Sequence, residues 1–463
     1  MGREPLSNVD TAWLRMEIPT NLMMISGIMT FSEPLSYERL LAVVEKRLLI
    51  FKRFKRKVAA PPTSVGQYYF EDDPNFDIRL HLHRVNLPAP ADHTALQDFV
   101  SEMMSKPLDM TKPLWEFHLI EQYGEGSALL GRMHHSIGDG IALIRVLLSM
   151  TDDKPDTPLE IEPPEIKRTG RGGLGSMIRK ATKTTLKMAD MALSGGQEIL
   201  QDPARLTELA KLGASGMAAF GRLTLRPPDA RTLFKGKLGV MKRAAWSQPI
   251  PLADVKRLGK VTDGTVNDVL LTAMTGALRR YLVAKGEDVE GLNFRAVIPV
   301  NLRPLDGPIE LGNKFGLVFL SLPVGIEDEL ERLWELKRRM DALKDTPEAV
   351  VALGILNTMG IVPTDLENVL VDLFEAKATA VMTNVPGPRQ QIYMGGIPVD
   401  SIMFWVPQSG RLGLGISIIS YNDQVWMGVA TDDGLVPDPD IIIENFHVEF
   451  DHMMKLVYQV EEE

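Results

Sequence analysis

Cysteine is absent from all 463 residues. That excludes disulfides, thiolate catalysis and sulfur-ligated metals together, and it fits a reducing compartment. No GxSxG elbow occurs, which removes the usual serine-hydrolase nucleophile. There is no P-loop and no HExxH pair. No apolar run reaches the roughly 18 residues of a membrane span, and no charged-then-apolar leader opens the chain, so a cytoplasmic location is expected. Met1-Gly2 would suit myristoylation, but position 6 is Leu where the motif needs Ser or Thr. Positive charge is also short. Lys and Arg number 51 against 61 Asp and Glu, and the net charge of −10 argues against a general nucleic-acid partner.

The length allows two or three domains, and 44% hydrophobic with 24% charged residues is ordinary for a globular chain. One stretch organises it: Met133-His134-His135-Ser136-Ile137-Gly138-Asp139-Gly140, between the apolar runs Ala128–Leu130 and Ile141–Leu148. This reads as strand, tight turn and helix. Adjacent histidines at a strand end point to opposite faces, so one can face a cleft while the other packs inside. Gly138 and Gly140 are expected to take backbone angles that make the turn sharp. The pattern suits general-base catalysis, in which a histidine near its unperturbed pKa takes a proton from an attacking alcohol. Asp139 would fix the ring or the loop that carries it. A metal site is the weaker reading, because no second ligand stands at helical spacing.

The pattern HHxxxDG resembles the signature of the CoA-dependent acyltransferase superfamily, which includes chloramphenicol acetyltransferase and peptide-synthetase condensation domains. The resemblance makes His135 the base and Asp139 a structural residue paired with an arginine, for which Arg303 in Asn301-Leu302-Arg303-Pro304 is nominated. Pro113-Leu114-Trp115, the pair Asn267-Asp268, and Thr383-Asn384-Val385-Pro386-Gly387-Pro388 are similar to motifs of one branch, the wax ester synthase/diacylglycerol acyltransferases. Each also has a plain structural reading: a tryptophan at a strand start is core packing, Asn267 is a good N-cap with Asp268 in a positive first turn, and Asn384 suits a turn. By resemblance the catalytic set is His135, His134, Asp139, Asn384 and Thr383, with either of the last two donating to an oxyanion. Gly140, Pro113, Leu114, Trp115, Asn267 and Asp268 form the substrate-binding set. Family members often carry Pro-Met-His near the N-terminus, where this chain has Pro19-Thr20-Asn21-Leu22-Met23-Met24.

The resemblance implies an α/β (α+β) fold. Two chloramphenicol-acetyltransferase-like domains with mixed sheets, residues 1–155 and 245–463, would be joined by a basic, amphipathic and helical linker, 156–244. The catalytic ring would lie in a channel between them. The implied substrates are fatty acyl-CoA, as co-substrate rather than cofactor, and a long-chain alcohol or diacylglycerol. Neither a cofactor nor a metal is expected. A free-standing condensation-type enzyme with another acceptor, or a non-catalytic lipid-surface protein, are the alternatives. Residues 167–187 hold seven Lys or Arg and no acid among apolar residues, a pattern suited either to a solvated connecting helix or to the surface of a membrane or lipid inclusion. Gly170–Gly175 matches GxGxxG, but no strand precedes it, which argues against a dinucleotide site. His81 and His83 share one face of an expected strand over Phe76–Leu87, with an exposed face as the preferred reading. Phe51–Lys57 reads as a solvated helix end.

Overall fold

The computed structural model describes residues 3–61, 68–158, 225–303, 309–344, 346–360, 364–408 and 412–462. The basic stretch 167–187, the GxGxxG match, residues 159–224 of the expected linker and Pro304 lie outside them.

The strands in chain order are β1 (Arg3–Pro5), β2 (Met24–Phe31), β3 (Arg56–Ala59), β4 (Tyr69–Asp72), β5 (Leu82–Val85), β6 (Trp115–Tyr123) and β7 (Gly126–His134). The second half adds β8 (Lys242–Trp246), β9 (Ile250–Pro251), β10 (Phe294–Asn301), β11 (Phe315–Leu322), β12 (Ala380–Pro386), β13 (Tyr393–Met394), β14 (Ile397–Trp405), β15 (Leu414–Tyr421) and β16 (Gln424–Asp432). The α-helices are α1 (Asn8–Met16), α2 (Tyr37–Val43), α3 (His93–Met104), α4 (Gly140–Ser149), α5 (Leu252–Val261), α6 (Val266–Ala284), α7 (Glu329–Lys344), α8 (Glu348–Met359), α9 (Thr364–Glu375) and α10 (Pro439–Glu462).

Two large mixed sheets dominate. The first runs β13-β14-β2-β7-β6-β5, and the second runs β11-β10-β12-β15-β16-β8 with β9 beside β16. Strand β7 is buried along all nine residues, which explains why its sequence is apolar and small where an exposed strand would alternate. Helix α6 starts with a capping box, in which Thr265 and Asp268 bond each other's backbone. The N-cap is therefore Thr265, not Asn267 as expected.

Each sheet has its own apolar core. A third cluster lies between them and joins Trp13, Met23, Phe315, Phe319, Leu353 and Val381.

A division of the chain at 155 and 245 does not describe sheet membership. Strands β13 and β14 come from the C-terminal third yet pair with β2, from Val399 opposite Phe31 to Trp405 opposite Ser26. Strand β8 begins three residues before the expected boundary and joins the second sheet. Strand β5 covers only four residues of the expected Phe76–Leu87 strand, because Ile78–Leu80 turn in a 3₁₀ helix. Strand β12 continues through Thr383 and Asn384 to Pro386, so Asn384 lies in a strand and not in a turn.

Candidate active site

Strand β7 delivers the two histidines, and backbone bonds fix where each goes. His134 N–H donates to Leu114 O at 3.0 Å and His135 N–H to Met23 O at 2.8 Å. The turn closes through Ile137 N–H to His134 O at 3.0 Å, and Asp139 then caps α4 by accepting from Ala142 N–H at 2.9 Å. Neither Gly138 nor Gly140 has a positive φ, contrary to expectation. The left-handed glycine here is Gly312, at φ 99°, on the segment that faces the loop. The loop and that segment join as a short parallel bridge, with Gly312 N–H donating to Ile137 O at 2.9 Å and Asp139 N–H to Gly312 O at 3.2 Å.

His134 is fully buried and committed to structure. Its Nδ1 accepts from Ser136 N–H at 3.0 Å, so the ring proton sits on Nε2, which lies 3.1 Å from Glu17 Oε2. Burial alone would raise the Glu17 pKa, but its pairing with His134 and the Met23 N–H more than offset it and hold the carboxyl below its usual value. Nδ1 is thus spent on the turn and Nε2 faces a carboxylate inside the core, which argues against the catalytic part assigned to His134.

His135 points the other way, into the third apolar cluster. Trp13 stacks on its ring with centroids 4.1 Å apart and planes 16° apart, and Phe315 lies at 5.7 Å. The residue is 5% exposed. Burial, reinforced by the neighbouring His134, pushes its pKa down to about 3. The expectation of a near-normal pKa therefore fails, for lack of solvent around the ring. Its own carbonyl and the Asn313 side chain favour a ring proton, although neither is well aligned with Nδ1.

A buried polar network clamps this loop from both halves of the chain. Asp139 Oδ2 accepts Lys314 N–H at 2.9 Å and lies 3.2 Å from Arg303 Nη2, with Arg303 only 9% exposed. Asn313 Nδ2 bridges His135 O at 2.7 Å and Asp10 Oδ1 at 2.8 Å. Asp10 in turn meets Arg53 Nη1 at 3.2 Å, and the same nitrogen donates to Ile137 O at 2.9 Å. Burial raises the Asp10 pKa, with Arg53 and Asn313 opposing. Arg53 comes from the stretch expected to be a solvated helix end. Asp10, Trp13, Arg53 and Asn313 were all missed as site residues. The available signals were an acid on the buried face of an N-capped helix and an asparagine after a glycine in the Leu311–Gly316 segment.

The remaining nominated residues separate by strand face. Along β12, Ala380 and Met382 pack in the core of the second sheet, whereas Val381 joins the cluster containing Trp13 and Phe315. Alternation puts Thr383 on the Val381 side and Asn384 on the Met382 side. The Asn384 amide donates to Asn267 Oδ1 at the start of α6, so those two meet each other. Asp268 is spent on the capping box, with Oδ2 bonded to Thr265 N–H at 2.8 Å and to its hydroxyl at 2.7 Å. Trp115 is fully buried, stacks on His81 at 4.5 Å and donates Nε1–H to Phe54 O at 2.8 Å. It is core, not substrate wall. Pro113 is buried beside it, and Leu114 acts through the carbonyl that holds His134. Gly140 is the first residue of α4 and only half-buried.

An apolar cavity of about 40 Å³ lies between the first sheet and α4, lined by Gly27, Phe117, Gly131, Ile144, Pro388 and Met403 among others. A larger one of about 300 Å³ lies at β11 and α7 beside Arg226, Arg338 and Arg339. Neither is lined by His135, so these cavities do not supply the open passage expected at the ring; Trp13 and Phe315 pack there instead.

Two mixed sheets with the HHxxxDG loop buried against a segment of the second half agree with the fold that the resemblance implied. Residues 6–270 match the wax ester synthase/diacylglycerol acyltransferase catalytic domain, and residues 311–454 match the C-terminal domain of the same proteins. The first match spans more than half of the chain, and the protein belongs to this family of acyltransferases. Two Mycobacterium tuberculosis proteins designated as candidate diacylglycerol O-acyltransferases are 28% and 26% identical. Both alignments cover 94% of this chain, with 87% and 92% of the relatives. The wax ester synthase/diacylglycerol acyltransferase of Marinobacter aquaeolei VT8 superposes with a TM-score of 0.69 at 22% identity, covering 98% of this chain and 99% of that one. The starter condensation domain of rhizomide synthetase gives a TM-score of 0.60 at 13% identity, covering 98% and 94%.

Proposed function

We propose that the enzyme moves a fatty acyl group from CoA to the hydroxyl of a long-chain alcohol or diacylglycerol, with His135 as general base and without a cofactor. The observation that carries this reading is an imidazole kept neutral by burial, turned away from the structural His134 and clamped through Asn313 and Asp139. With its Nδ1 proton facing its own carbonyl and Asn313, Nε2 keeps a lone pair for the acceptor hydroxyl. The proton moves to Nε2 as the oxygen attacks the thioester carbon. The tetrahedral intermediate collapses with cleavage of the C–S bond, and the same proton passes to the departing thiolate. Thr383 is the better oxyanion donor of the two nominated, because it lies on the ring's side of β12 while Asn384 is tied to Asn267. Arrival of both substrates requires Trp13 or Phe315 to swing aside.

Work on two greasy substrates suits a peripheral position on a cytoplasmic membrane face or lipid inclusion. No described helix is long and apolar enough to cross a membrane. A condensation-type acyltransferase is the second reading, favoured only by the shared fold. Purified enzyme with palmitoyl-CoA and hexadecanol, a diacylglycerol or an alkyl amine decides between them. Free thiol released with the hydroxyl acceptors alone supports the proposal; release with the amine alone overturns it.

A further inference from the structure

Sequence spacing pairs His83 with His81, but the fold separates them. His81 is a core residue stacked on Trp115, with Nδ1 2.7 Å from Trp115 O. His83 instead lies opposite His118, because β5 and β6 run parallel with those residues in register. Glu116 is two residues before His118 and so on the same face of β6. One ligand atom from each of His83, Glu116 and His118 falls within 4.8 Å of the other two.

We propose that these three side chains bind a divalent transition-metal ion, with zinc the best chemical match, at a site separate from the HHxxxDG loop. Two imidazoles and one carboxylate form a ligand set that zinc accepts, leaving a fourth position for water. His118 is 8% exposed, and its Nε2 is buried without a hydrogen-bond partner, 3.4 Å from Glu116 Oε2. A buried imidazole nitrogen left in that state is a standing cost that a metal ion relieves. Tetrahedral zinc, with bonds near 2.0–2.1 Å, needs donors about 3.3 Å apart. The His83 ring stacks on His118 with centroids 4.8 Å apart and planes 27° apart, and binding would require the half-buried His83 side chain to turn its nitrogen towards Glu116 and His118.

The opposing group is Arg132, whose Nη1 donates to Glu116 Oε2 at 2.8 Å. That oxygen is also the one nearest His118 Nε2, so Arg132 competes for the carboxylate and affinity would rest chiefly on the imidazoles. Phe99 packs edge-on against His118 and walls one side. Strand β5 is a four-residue edge strand, and a bound ion would staple it to β6.

The test uses tag-free full-length protein, stripped with a chelator and titrated with Co²⁺ as a visible probe. One equivalent with the absorption of tetrahedral Co²⁺, displaced by Zn²⁺, is expected. Zn²⁺ should raise the Tm of wild type. His83→Gln should abolish both effects while circular dichroism and thiol release stay at wild-type levels, and His447→Gln should abolish neither. If His83→Gln does not fold, His118→Asn serves in its place. Failure to take up the metal at 100 µM (about a hundred times a micromolar Kd), or uptake that survives the folded variant, overturns the proposal.

Discussion

The depressed basicity of His135 makes a sharp forecast for pH. Were the ring to titrate near its ordinary value of 6.5, the neutral fraction, and with it kcat/KM, would fall about tenfold between pH 7.5 and 5.5. With a pKa of about 3 the ring stays neutral over that range, and kcat/KM should be flat to within a factor of two. Stability carries the same signature with a definite sign. The unfolded ring takes up a proton near 6.5 and the folded one only near 3, so the contribution is complete above 6.5 and is lost as pH falls towards 3. At pH 5, which is 1.5 pH units below 6.5, the loss is roughly 2 kcal/mol. Urea unfolding of wild type and His135→Gln at pH 7.5 and 5 isolates this share, since other groups titrate alike in both. A wild-type kcat/KM limb centred near pH 6.5, or parallel acid loss in the variant, would refute the reasoning.

Other expectations follow from the clamp and the strand faces. Asp139→Ala removes the α4 cap and leaves Arg303 buried without its carboxylate; unfolding should show a loss of roughly 3–5 kcal/mol, with activity falling in step with Tm. Thr383→Val should lower kcat by roughly 10²–10³ at unchanged Tm, as for the loss of an oxyanion donor, while Asn384→Ala should have the smaller effect on kcat. Glu17→Ala should destabilise at neutral pH by roughly 1–3 kcal/mol, because His134 loses its acceptor. The Glu17 carboxyl is held below its usual pKa, so its contribution is present above about 4.5 and vanishes as pH falls through the folded value. The gap between variant and wild type should therefore shrink in acid.

How far the site could be read from sequence depended on how local its parts are. The strand, turn and helix around His134–Gly140 are contiguous and came from apolar patterning, and the resemblance paired Asp139 with Arg303, which do meet. Asp10 and Asn313 stand 303 positions apart, and no periodicity links them. Trp13 belongs to a short N-terminal helix, and only the approach of the motif loop stacks it on an imidazole. Arg53 sits among lysines in a basic stretch, a composition that reads as solvent-facing until the acid it meets is known. The crossing of β13 and β14 into the first sheet was invisible for a related reason: alternation identifies a strand but not its partner. The PLW motif erred the other way, since its tryptophan serves the core and only its neighbour's carbonyl touches the site.

The central claim concerns one imidazole, and its most direct test is pre-steady-state thiol release by His135→Ala with palmitoyl-CoA and a saturating hydroxyl acceptor, beside an unfolding curve of the same sample. The account expects a drop of roughly 10²–10⁴ in the rate of the acyl-transfer step with a normal, cooperative melt. A folded variant that still transfers the acyl group at the wild-type rate would contradict it.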